Sequence, residues 1–143
     1  MRLMLSIILL GWGIWACKPS QLAQKQSVMT FDTTTLWKLK TFEGKPESSL
    51  TLRFINFESL QGKSFYHAVG KGPVNGYGCK VEILKGHQLI ITELNQTMIA
   101  DIDPDTNKLE QRLMTALSKV SRYELKTKEL SLIYPGGALI FEK

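Results

Sequence analysis

Only one stretch of this chain repeats apolar residues at helical spacing. Leu109, Leu113, Leu117 and Val120 recur at intervals of four and three, while Lys108, Gln111, Arg112 and Lys119 fall elsewhere around the turn. The spacing predicts an amphipathic helix over about 104–120. Asp103-Pro104 supplies an N-cap acceptor and then a proline at the first helical position. The early acids Asp105 and Glu110 and the late bases Lys119 and Arg122 suit the helix dipole. With one helix there is no βαβ rhythm, so the rest of the fold must come from strands paired antiparallel.

Strand patterns lie on both sides of that helix. Leu36, Trp37, Leu39 and Phe42 are separated by Lys38, Lys40 and Thr41, and Gly44-Lys45-Pro46 interrupts the run. Leu50, Leu52 and Phe54 alternate with Thr51 and Arg53 as a half-buried strand should. Phe65–Val69 can form a short strand between Gly62 and Gly70. Lys80–Leu84 and Leu89–Leu94 make a hairpin around Lys85-Gly86-His87. After the helix come Arg122–Lys126, Glu129–Tyr134 and Ala138–Phe141, the last two joined by Pro135-Gly136-Gly137. The expected fold class is α+β, a mainly antiparallel, strongly curved sheet or incomplete β-barrel. Its one amphipathic helix (about 104–120) plugs an open end or covers a face.

The N-terminus is of another kind. A short basic start at Met1-Arg2 precedes an almost wholly apolar run from Leu3 to Trp15. That run is shorter than the roughly 20 residues of a spanning helix and has the layout of a secretory signal. Ile14-Trp15-Ala16-Cys17 resembles a bacterial lipobox, which implies cleavage before Cys17 and lipid attachment there. Several acyl chains, at about 0.8 kcal/mol per buried CH₂, hold a protein on a membrane. The expected division is 1–16 lipoprotein signal peptide, 17–33 polar lipidated tether, and 34–143 a single domain. Lys18, rather than Asp, after the cysteine favours the outer membrane by analogy with enterobacterial lipoproteins. The expected address is therefore the cell envelope, facing the periplasm.

The formal charge of +5 falls to +4 once Arg2 leaves with the signal, and the remaining Lys and Arg residues are scattered without a dense basic run. That pattern is a solvated surface and not a nucleic-acid footprint. The expected partner is the membrane, through Cys17, with the domain itself a monomer. No cofactor is expected.

Asn75-Gly76-Tyr77-Gly78-Cys79 concentrates turn-favouring residues and a thiol between two apolar runs, and reads as a tight bend. Cys79 with His67 or His87 as base is the sharpest catalytic arrangement available, but nothing in the spacing places either histidine beside it. A small buried core cysteine is the better reading. Asp101-x-Asp103-x-Asp105-x-Asn107 has the opening ligands of a calcium loop. Thr106 replaces the glycine, Arg112 replaces the bidentate glutamate and Pro104 intrudes, so capping explains these acids better than a metal. The histidines lack ligand-spaced partners for zinc. Trp37, Phe65, Tyr66 and Tyr77, among the aromatics, are candidates to line an apolar ligand pocket if the barrel is open; otherwise they fill the core.

Thr35-Leu36-Trp37-Lys38-Leu39, Ser49–Phe54, Asn75–Cys79, Leu89-Ile90-Ile91, Thr97-Met98-Ile99-Ala100, the helix and the closing Leu130-Ser131-Leu132 hairpin together resemble the META domain, the HslJ-like family of bacterial envelope proteins. The resemblance marks Asn75, Gly76, Gly78, Cys79 and Thr97 as structural motif residues. It implies no defined reaction, only a non-enzymatic binding or structural role associated with heat shock or envelope stress. The alternative is a periplasmic small-ligand or lipid-binding barrel, or one resembling lysozyme inhibitors. Lys80 stands where the family often has Asn, and Asp101 where it often has a second cysteine, so no dithiol role carries over. The segment from Asn56 to Val74 is longer than the family pattern leads one to expect, and reads as an extra strand or a flap.

Overall fold

The computed structural model describes residues 30–143. The expected signal peptide, the lipid site Cys17 and most of the tether lie outside the described residues. Within them the chain forms, in order, β1 (Trp37–Phe42), β2 (Lys45–Pro46), β3 (Thr51–Leu60), β4 (Lys63–Lys71), β5 (Gly76–Ile83), β6 (Leu89–Gln96), α1 (Pro104–Ser118), β7 (Arg122–Leu125), β8 (Glu129–Tyr134) and β9 (Gly137–Glu142). The strands make one antiparallel sheet in the order β6-β5-β4-β3-β1-β9-β8-β7, with β2 hanging on β1. The two ends of this order almost meet. Gln88 bridges Arg122, and the Leu89 N–H donates to the Ser121 carbonyl at 3.1 Å. The fold is thus an α+β sheet curled into an incomplete barrel, with α1 lying against β6 and β8 near the seam.

The curl has local causes. Asn56 is an extra residue between the pairs Ile55↔His67 and Phe57↔Tyr66, and Glu93 lies in a second bulge where β6 runs past Cys79. Both adopt positive φ, 46° and 54°, and such bulges bend a strand and sharpen its twist. Two-residue turns reverse the chain at Glu43-Gly44 (φ 51° and 73°) and Gln61-Gly62 (φ 51° and 77°). Positive φ at both central positions matches the twist of the flanking strands. The long segment after Asn56 is therefore an extended β3–β4 hairpin.

The inner face follows the predicted alternation. Trp37, Leu39, Leu52, Phe54, Leu130, Leu132, Leu139 and Phe141 are buried, and Leu113 and Leu117 of α1 close over them. Phe31, inside the stretch expected to be tether, belongs to this core. It is 4% exposed, its ring stacks on Phe54 at 4.1 Å, and its N–H donates to the Tyr66 hydroxyl at 2.9 Å. The packed chain thus starts before residue 34. A single large aromatic in a polar stretch leaves no periodicity by which to be noticed. Just after it, the Asp32 carboxylate accepts from the hydroxyls of Thr35 and Thr34 and from the Thr34 N–H. These bonds, the one from Thr35 first, hold its pKa down to about 2.

Candidate functional site

The stretch Gly76–Cys79, expected to bend, is extended strand. Gly76, Tyr77, Gly78 and Cys79 pair in unbroken register with Lys71, Gly70, Val69 and Ala68 of β4. The reversal occurs just upstream, where the Gly72 N–H donates to the Asn75 carbonyl at 2.7 Å. Glycine can mark a strand that other groups approach closely as well as a turn. Here the closest approach falls on the partner strand. A Cβ on Gly70 would lie 1.9 Å from the Thr51 carbonyl oxygen and 2.6 Å from the Tyr77 ring.

Asn75 stands at the entrance to β5, 3% exposed, and uses both ends of its amide. Its Oδ1 accepts from the Thr97 hydroxyl at 2.7 Å and from the Ile99 N–H at 2.8 Å. Its Nδ2 donates to the Ile99 carbonyl and to Glu110 Oε2. Glu110 Oε1 also accepts from the N–H groups of Asn75 and Val74. The structure thus joins the motif residues Asn75 and Thr97, and adds Glu110. In sequence Glu110 reads as a dipole-stabilising early acid of an amphipathic helix; in the fold it is 4% exposed. Its position three residues before Leu113 and seven before Leu117 puts it on the apolar side of α1, and that was the signal available.

This network holds the segment between β6 and α1, and the helix start reinforces it. Asp103 caps α1, accepting from the N–H groups of Asp105 and Thr106 and from the Thr106 hydroxyl. The bond from that hydroxyl is the leading cause of its lowered pKa. Asp101 accepts from the Asp103 N–H, while the Asn107 side chain accepts from the Asp101 N–H and donates to the Asp101 and Asp103 carbonyls. Of the calcium-like acids, Asp101 and Asp103 are engaged with backbone and Asp105 pairs with Lys108. Among the described residues no group of three or more His, Cys, Asp or Glu side chains is placed to hold a metal.

Cys79 points inward at 6% exposure, and burial pushes its thiol up to about 12. His67 lies one position along β4 on the outer face and approaches Glu58 at 3.7 Å. His87 packs beside the Tyr123 ring, centroids 5.5 Å apart. Cys79 and His67 line the same hollow over the bulges, but among the described residues neither histidine hydrogen-bonds the thiol, which faces the core.

The four aromatics proposed to line a pocket part company. Trp37, Tyr66 and Tyr77 are 1%, 1% and 5% exposed in the core, with the Tyr77 hydroxyl donating to the Thr51 carbonyl at 2.6 Å. Phe65 lies on the other face of β4 under the Lys80 ammonium, 4.7 Å from its ring centre. A void of about 10 Å³ between Leu52, Phe54, Cys79, Val81, Leu89 and Leu117 lies within the core. It has room for about one water molecule and is no ligand chamber.

The larger hollow is on the surface, where sequence patterning could not show it, because residues from separate segments meet there. A groove of about 540 Å³ runs between α1 and the turns after β1 and β8. Phe42, Ala116, Tyr134 and Pro135 give it apolar walls, and Lys108, Arg112 and Lys119 bring three cations to it. Arg112 pairs with Glu43 and lies over the Phe42 ring, 5.5 Å from its centre. Lys108 pairs with Asp105 at 3.1 Å. Among the described residues Lys119 makes no ion pair. A second hollow of about 280 Å³ lies over the bulges, between Asn56, His67, Gly78 and Glu93.

The sequence profile described as META domain matches residues 27–143. No curated protein matches the chain. One similar solved fold is an NMR structure with 17% identity, covering 77% of this chain and 89% of its own, at a TM-score of 0.53. Another is an NMR structure of a protein from Burkholderia xenovorans, with 20% identity, 76% and 77% coverage and a TM-score of 0.46. At such identity the first likeness concerns the fold alone.

Proposed function

The chain belongs to the META domain family, and from that premise we propose that it is a lipid-anchored envelope protein that acts without catalysis, as a binding and support module in the envelope stress response. The apolar run and the Ala16-Cys17 junction support a tether at Cys17, and Lys18 supports the outer membrane, with the domain facing the periplasm. The raised thiol pKa of Cys79, caused by its burial, favours a role without a nucleophile.

The groove beside α1 is the observation that carries the binding reading. Its 540 Å³ falls within the ~300–1,000 Å³ usual for ligand sites. It combines apolar walls with positive charge, which suits an anionic ligand or segment with an apolar part. A barrel that encloses a lipid is the weaker alternative, because the inward aromatics fill its interior.

Both halves of the reading can be tested in cells. Acyl-chain labelling should be present in the wild type and lost in Cys17→Ser; equal labelling of the two would remove the anchor. A photo-crosslinker placed at Thr115, in the groove, should form adducts that one at Ser59, on the β3–β4 hairpin, does not. Silence at Thr115 would remove the groove as a binding surface.

A further inference from the structure

The segment after β6 is unusual in what it shows to solvent. Met98 and Ile102 are 98% and 101% exposed and Ile99 is 62% exposed. Isolated exposed apolar residues need no explanation, but three within five positions form a patch. The patch is also held in place. Asn75 grips the chain at Thr97 and Ile99, and the bonds among Asp101, Asp103 and Asn107 fix its other end. Asp101, Asp103 and Asp105, all exposed, put negative charge beside it.

The groove beside α1 has the opposite character: apolar walls around Phe42 and Tyr134, and three cations to one lining carboxylate, Glu43, which pairs with Arg112 and leaves Lys119 without an ion pair among the described residues. The two surfaces match in polarity and in sign of charge, which is the kind of complementarity that fixes partner and register. Within one chain they meet only at their near ends, where Lys108 pairs with Asp105 at 3.1 Å. The loop is pinned at the N-terminal end of α1, whereas the groove extends along the helix to Lys119, about 21 Å from Asp105 at the usual rise per residue. We propose that the groove of one copy receives the Met98–Ile102 loop of a second copy of this chain. The inference rests on the groove being a binding surface, as argued above, and names its occupant. Loop and groove are different surfaces, so two copies either exchange both contacts around a twofold axis or add head to tail. Attachment to a membrane would raise the effective concentration of copies and sustain a contact too weak for dilute solution.

The test uses two differently tagged full-length copies co-expressed in cells, with a photo-crosslinker at Ile102 of one. Adducts should map to the other copy, within Phe42–Glu43 or 108–119. Lys119→Glu in the receiving copy should cut their yield about fivefold, and Asp105→Lys in the donating copy should restore it. An unchanged melting temperature would show that these exposed substitutions act on contact and not on folding. Adducts to lipid alone, to a different protein alone, or none at all would overturn the second-copy assignment. If a crosslinker at Thr115 still captured a partner, the groove reading would survive that failure. If Thr115 were silent too, both would fall.

Discussion

Glu110 takes two hydrogen bonds from Asn75, one from its backbone N–H at 2.7 Å and one from its side-chain Nδ2. A helix carboxylate is thereby joined to the entrance of a strand 35 residues earlier, and both residues are almost wholly removed from water. Buried polar groups that satisfy one another specify an arrangement, because losing one partner strands the others.

Glu110→Ala should therefore be expensive. It leaves the N–H groups of Val74 and Asn75 and the Asn75 side chain short of an acceptor, and a loss of about 3 kcal/mol in denaturant unfolding is expected. Asn75→Ala should cost a similar amount by freeing Thr97 and Ile99. The double variant should fall short of the sum by about 1 kcal/mol or more, because the two share a network. Additive losses would show that the residues act independently.

Gly70 and Gly78 should respond differently to alanine. At Gly70 the new Cβ would meet the Thr51 carbonyl at 1.9 Å, whereas at Gly78 its nearest neighbour is Asn95 Oδ1 at 3.4 Å. Thermal unfolding should show a loss of about 2 kcal/mol or more for Gly70→Ala, as expected of overpacking. For Gly78→Ala a change below about 1 kcal/mol is expected. Similar losses at both would mean that the β4–β5 pair yields more easily than its geometry indicates.

Cys79 should resist thiol reagents in the native protein at pH 8 and react only on unfolding. Its folded pKa, pushed up to about 12 by burial from an ordinary 9, also sets a pH dependence. Between these values the folded state keeps the proton that the unfolded state has lost, so stability falls as pH rises. Tyr77, raised for the same leading reason, acts in the same direction above pH 10. Replacing Cys79 by Ala should shallow the decline measured between pH 9 and 12; an identical slope would refute the assignment to this thiol.

Alternation and helical spacing carried most of the architecture. Trp37, Leu39, Leu52 and Phe54 were legible as an inward face because strands expose their two sides in turn, and Asp103-Pro104 marked the start of α1. Gly76 and Gly78 misled, since local composition cannot distinguish a turn from a strand whose path is set by pairing with β4. Phe31 escaped notice because its burial depends on Phe54, Tyr66 and Tyr123, none of them near in sequence. The groove was hidden for the same reason: Phe42, Arg112 and Tyr134 meet only after the sheet has curled.

The pairing of β1 with β9, where Lys38 faces Glu142 and Phe42 faces Leu139, has a consequence in time. A chain emerging N-terminus first presents Trp37–Phe42 early, yet one edge of that strand stays unclaimed until Gly137–Glu142 arrive. Strands far apart in the sequence, Trp37–Phe42 and Gly137–Glu142, thus complete one another. Any helper that holds the nascent chain must guard that edge for the whole interval, and a chain that lacks Gly137–Glu142 leaves it open.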